Sequence, residues 1–147
     1  MLRPIATALA ALTLSAGVAA ADPHEKLVTV VTSDNPQNQL MSMVLTMQAL
    51  EKGVETRILL CGPGGDIALK DAPDTATAGQ PPRDMSPQGL LMAALKNGAT
   101  AEVCAIYLPG RDEGPEVLIE GVGVAQPPAM ADALLAQDAA VDRKSVV

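Results

Sequence analysis

Cysteine is the residue type in this chain best suited to covalent chemistry, and there are two, Cys61 and Cys104. Each closes an apolar, strand-like run at the point where the chain turns into loop. Residues 56–60 lead into Cys61-Gly62-Pro63-Gly64-Gly65-Asp66, and residues 101–103 lead into Cys104. In an open parallel α/β sheet, ligands and reactions gather at the carboxyl ends of the strands, so a thiol there is a candidate reactive group. An ordinary thiol, with a pKa of about 8.5, is mostly protonated at neutral pH. Cys104 therefore needs electropositive help, such as backbone amides at a following helix start, to act as a thiolate. The competing reading of Cys104 is a buried small hydrophobe, a common fate of free cysteine. Cys61 is open to three readings, a resolving thiol, a metal ligand or plain packing, and its setting favours packing.

The glycines beside Cys61 add a second candidate. Gly62, Gly64 and Gly65 could turn backbone N–H groups toward an anion, as glycine loops before helices do. The stretch lacks the lysine and hydroxyl of a phosphate-binding P-loop and does not fit the dinucleotide fingerprint, so a tight turn is the favoured account. Asp66 reads as a helix cap rather than a catalytic acid. Met41, Met43 and Met47 invite a copper reading, since thioethers suit Cu(I). On a helix, however, Met43 and Met47 share the apolar face and Met41 points away, so they do not converge. His24 is the only histidine, which excludes a histidine-rich zinc site. No metal or cofactor is expected.

These residues have to be positioned by elements whose signals are local. Residues 27–32 are a β-branched run without helical period and predict a buried first strand. Asn35-Pro36 is a helix start with Asn35 as cap, and Leu40, Met43, Val44, Met47 and Leu50 follow at helical spacing until Gly53. A second strand is predicted over 55–60, and a short helix from Gly65 toward Lys70. Residues 72–84, rich in Pro, Ala, Thr and Gly, predict a long loop. Ser86-Pro87 starts another helix, with Leu91, Ala94 and Leu95 inward and Gly98 as its stop. The third strand is predicted over 101–106, a short helix over 117–119, a fourth strand over 122–125, a helix over 128–135 and a fifth strand from Ala139. Alternating strands and helices call for a mainly parallel sheet of about five strands covered on both faces.

Residues 1–21 have a positive start, an apolar centre and a small-residue end, the layout of a secretory signal. The apolar run falls short of the about 20 residues that span a bilayer. The expectation is therefore a periplasmic protein, free of the membrane after cleavage, with one domain over residues 22–141. Residues 142–147 differ in character from the alanine-rich segment before them, resemble one reading frame of a sequencing-library adapter, and are expected to be a non-native tail replacing the original terminus. A net charge of −7, no Trp or Phe and a single Tyr exclude a nucleic-acid binder, which needs basic patches and usually stacking aromatics.

Several stretches together resemble the DsrE/DsrF-like family: Val31-Thr32-Ser33-Asp34, Leu59-Leu60-Cys61-Gly62-Pro63-Gly64-Gly65-Asp66, Met85-Ser86-Pro87-Gln88-Gly89-Leu90-Leu91, Val103-Cys104-Ala105 and Gly121-Val122. The resemblance covers residues 27–141. It implies a single-domain, flavodoxin-like three-layer sandwich that assembles as a homo-oligomer, a trimer or hexamer. Sulfur-relay members carry a persulfide on a strand-end cysteine, and the matching position is Cys104, whereas Cys61 looks peculiar to a subgroup. The resemblance also implies the sheet order second, first, third strand. The two cysteines would then stand two strand spacings apart, about 9 to 10 Å. A disulfide requires Cα atoms within about 7 Å, so a bridge would need the loops to bend inward. In function the resemblance implies a sulfur carrier, with Cys104 bearing a persulfide or mixed disulfide, the 61–66 and 72–84 loops shaping access, and a sulfur donor or acceptor protein as partner. The alternatives are a non-enzymatic module for a small ligand or soft metal, and a structural subunit of an oligomer.

Overall fold

A computed structural model describes residues 26–144. The signal segment, and the last three residues of the suspected tail, lie outside the described residues. β1 (Lys26–Val31) is followed by α1 (Pro36–Glu51), β2 (Glu55–Leu60), a 3-10 helix (Gly62–Ala68), α2 (Asp74–Thr77), α3 (Pro87–Lys96) and β3 (Thr100–Val103). Short 3-10 turns (Pro109–Arg111 and Pro115–Val117), β4 (Val122–Val124), α4 (Pro127–Leu135) and β5 (Ala139–Lys144) follow among the described residues. Among the described residues no helix is long and apolar enough to cross a membrane.

The helix starts follow from capping chemistry. The Asn35 side chain accepts from the N–H groups of Gln37 at 2.9 Å and Asn38 at 3.2 Å, with Pro36 at the first helical position where its missing N–H costs nothing. Ser86 caps α3 the same way, accepting from the Gly89 N–H at 3.1 Å, again followed by a proline. Leu40 and Met43 of α1 are buried as predicted, yet so are Gln39, Ser42 and Thr46. The Ser42 and Thr46 hydroxyls donate to the carbonyls of Asn38 and Ser42, both at 2.9 Å, and Thr46 meets Thr29 of β1 at 3.0 Å. Hydroxyls satisfied within the helix can be buried, which lets α1 lie close on the sheet through small polar residues that a hydropathy pattern does not count.

The five strands of the described residues are all parallel, in the order β4-β3-β2-β1-β5. The order second, first, third implied by the resemblance is thus corrected: β2, not β1, is the central member of that trio. The reason lies in which helices share a face. Right-handed crossovers that step repeatedly in one direction leave their helices on one side of the sheet. α1 and α3 pack on each other and, with the 3-10 segment, bury Ile58, Leu60, Ala101 and Val103. The step from β4 back to β5 runs the other way, so α4 covers the opposite face, where Met130 packs with Val28, Leu59 and Ala125. The result is a three-layer α/β sandwich of flavodoxin-like form. The pleat accounts for the division, since Leu59 faces α4 while its neighbours Ile58 and Leu60 face α1 and α3.

Three local expectations change. Residues 72–84 are not bare loop: α2 buries Ala76, and Gln80 pairs with Met85 in an isolated antiparallel bridge, with a cis Pro81-Pro82 bond between them. β3 stops at Val103 rather than continuing to Ile106, because the chain turns after Cys104, with Tyr107 N–H donating to the Cys104 carbonyl at 2.8 Å. β5 runs three residues into the segment set aside as a tail, with Asp142–Lys144 in register with Thr29–Val31.

Candidate functional site: the Cys61–Cys104 pair at the sheet edge

The register of β2 against β3 sets Leu60 opposite Val103, so Cys61 and Cys104 are the next residues on adjacent strands. Backbone bonds extend the ladder through both: Cys61 N–H donates to Val31 O at 2.9 Å, and Cys104 N–H to Leu60 O at 2.8 Å. The Cα atoms are 5.1 Å apart and the two sulfurs are joined in a disulfide. This overturns the expectation that two strand spacings separate them, since adjacent parallel strands are about 4.8 Å apart, within disulfide range. Neither cysteine is therefore the free, packed thiol that the sequence favoured for Cys61. Nor is Cys104 a thiolate in this state. A cystine sulfur is an electrophile that an incoming thiolate can attack, and Cys104 becomes a nucleophile only after reduction.

A second tie joins the two cysteine loops. The chain after Cys61 forms a 3-10 helix in which Gly64 N–H donates back to Cys61 O at 3.1 Å, so this amide is used internally. Gly64 lies against the Val31 carbonyl, which a β-carbon would overlap. Gly65 lies under the ring of Tyr107, where a β-carbon would stand 2.5 Å from Cε2. Gly62 has φ +51°, a conformation that glycine adopts freely. The glycine stretch is thus a packing surface for β1 and for the loop after Cys104. Asp66 sits inside the 3-10 helix rather than capping one, which corrects its expected role. Its Oδ1 accepts from the Tyr107 hydroxyl at 2.6 Å and faces Arg111 at 3.5 Å. The Arg111 guanidinium stands 5.5 Å from the Tyr107 ring centroid and donates to Glu113 at 2.7 Å. Burial first, and the bond to Asp66 second, push the Tyr107 phenol well above its ordinary range. Tyr107 therefore stays a neutral donor to Asp66.

On the α4 side of the sheet an open cavity of about 340 Å³ has Cys104 in its wall. Leu59 and Ala125 line its sheet side, Met130 and Leu134 its helix side, and Ile106, 81% exposed, stands beside its mouth. Among the described residues, no charged side chain lines it. Of the residues singled out in the sequence, Cys61 and Cys104 are brought into bonding contact. Gly62, Gly64, Gly65 and Asp66 gather beside them but do not line this cavity, and neither does any residue of 72–84. That segment instead faces α1 across a separate groove at Leu40, Met41 and Val44. Among the described residues no cluster of three or more His, Cys, Asp or Glu side chains could hold a metal ion. Tyr107 and Arg111 were missed in the sequence. The one available signal was that the chain's sole tyrosine lies three residues after Cys104.

Fold and site together define a small three-layer α/β protein of flavodoxin-like form, with a cystine at the carboxyl edge of an all-parallel sheet. Two solved structures bear on that class. One is a protein of unknown function, MTH1491 from Methanobacterium thermoautotrophicum, with a TM-score of 0.64, 14% identity, and 80% of this chain and 97% of that chain covered. The other is the ychN protein from E. coli, with a TM-score of 0.64, 19% identity, and again 80% and 97% covered. At such identities the likeness is one of fold. No family model matches the sequence, and no curated protein does.

Proposed function

We propose that this protein handles sulfur through the Cys61–Cys104 pair, which alternates between cystine and dithiol, with Cys104 as the exchanging sulfur and Cys61 as the resolving one. The observation that carries the reading is the placement of the chain's two cysteines on adjacent strand ends, with Cys104 in the wall of an open cavity. Two equivalents of a donor thiol reduce the cystine and leave as their own disulfide. Reduced Cys104 then attacks the outer sulfur of a persulfide donor, releasing the donor's thiol and becoming a persulfide. Attack by the Cys61 thiolate on the inner sulfur of that persulfide restores the cystine and expels hydrosulfide. Alternatively, the persulfide passes its outer sulfur to an acceptor thiol. The secretory layout of residues 1–21 supports action in the periplasm, where disulfides persist. The family resemblance supports assembly as a homo-oligomer, trimer or hexamer, and a protein as sulfur donor or acceptor.

The test is intact-mass analysis after thiol alkylation of reduced protein, with and without a persulfide donor. The expected result is a donor-dependent gain of one sulfur that is lost in Cys104→Ser and persists in Cys61→Ser. A protein that gains no sulfur when fully reduced overturns the reading. The apolar cavity favours one competing account, a non-enzymatic module for a small ligand, in which binding survives Cys104→Ser.

A further inference from the structure

The cavity beside Cys104 has a chemistry of its own. Its wall is built from aliphatic side chains, Met130 and alanines, with Leu59 7% exposed and Met130 4% exposed, and among the described residues no cation lines it. The whole chain carries a net charge of −7. A carboxylate entering this space would lose its hydration without gaining a partner and would do so against the protein's own field. An alkyl group entering it exchanges water for apolar contact. Its size is at the low end for ligand pockets, which suits a small substituent rather than a folded segment. Cys104 lines the cavity and Cys61 does not, so a thiol seated there lies beside Cys104 rather than Cys61.

We infer that the cavity selects small, uncharged, apolar thiols as exchange partners of the cystine, in preference to anionic thiols, and directs them to Cys104. The inference rests on the proposed sulfur-handling reading and names the substrate class of that same site. In the exchange, the incoming thiolate attacks Cys104 Sγ, the bond to Cys61 breaks, and Cys61 departs as a thiolate that takes up a proton. A second thiol attacks the mixed disulfide, leaves as the organic disulfide and releases Cys104. The protein cystine is reduced and two thiols are oxidised, with no other reagent required.

The experiment tracks reduction of the intact oxidised protein by mass spectrometry with ethanethiol, propanethiol, butanethiol and mercaptopropionate. Each rate is divided by that for an unstructured, uncharged disulfide, which removes the intrinsic reactivity of the thiol. Each added methylene is expected to raise the normalised rate by about fourfold as it is buried. Mercaptopropionate is expected to fall more than tenfold below butanethiol, and peptide mapping should place the first adduct on Cys104. Met130→Lys should invert the preference. Because Met130 is buried, Ile106→Lys at the exposed mouth serves as the variant that keeps the fold, and it should narrow the gap between mercaptopropionate and butanethiol. Equal normalised rates across the series, or a first adduct on Cys61, overturn the inference while leaving an exchanging cystine in place. A cystine that none of these thiols reduces under native conditions overturns the underlying reading and the inference with it.

Discussion

Reducing the Cys61–Cys104 bond removes a cross-link spanning 43 residues of sequence, and the loss should fall mainly on the unfolded state. In the chain-entropy description a closed loop of that length restricts the unfolded ensemble by about 13 cal/mol/K, or about 4 kcal/mol at 25 °C. The folded state has little reason to change when the bond opens. The backbone bonds from Cys61 to Val31 and from Cys104 to Leu60 remain, and so does the Tyr107 bond to Asp66 at 2.6 Å. For a domain of about 120 residues each kcal/mol moves Tm by about 4 °C, so full reduction should lower Tm by about 15 °C. The assay is thermal unfolding by circular dichroism, with and without a phosphine reductant, at one protein concentration, with complete reduction verified by mass. The double variant Cys61→Ser plus Cys104→Ser should unfold near the reduced wild type and ignore the reductant. A fully reduced wild type that loses less than about 1 kcal/mol, or about 4 °C, would refute the argument. So would an equal shift in the double variant, which would trace the effect to the reductant.

Tyr107 is the only tyrosine and there is no Trp, so its ionisation can be read directly from tyrosinate absorbance. Its folded pKa is raised, so its contribution to stability is fully present below the ordinary tyrosine pKa of about 10 and is lost as pH rises through the folded value. Stability should therefore fall on the alkaline side, and Tyr107→Phe should flatten that fall while costing about 1 to 2 kcal/mol at neutral pH in urea denaturation. Gly65→Ala puts a β-carbon against a ring already pinned by Asp66, so it should cost about 1 to 3 kcal/mol by the same measurement. Asn35→Ala leaves the Gln37 and Asn38 amides without their acceptor and should cost about 1 kcal/mol, with faster hydrogen exchange confined to the first turn of α1.

The elements were legible because their signals act over a few residues. Asn35-Pro36 and Ser86-Pro87 start helices where the short-range geometry of capping says they should, and the β-branched run before Ser33 becomes β1. Legibility failed at α1, where Ser42 and Thr46 look like exposed positions until their hydroxyls are seen bonded to the preceding turn. It failed again after Cys104, where an apolar run continuing to Ile106 reads as strand although Tyr107 turns back to meet Gly65 and Asp66.

Residue types and spacing were therefore enough to determine a parallel α/β domain with both cysteines at carboxyl ends of strands. They did not determine that those ends are neighbours. Strands buried on both faces carry nearly the same apolar pattern in any order, so the pattern holds little information about which strand lies beside which. That choice was made by the packing of α1 against α3 on one face and of α4 on the other, through contacts between residues far apart in sequence. Once β2 and β3 are adjacent, the cystine, the Tyr107–Asp66 tie and the apolar cavity at Cys104 all arise from side chains that only the tertiary structure brings together.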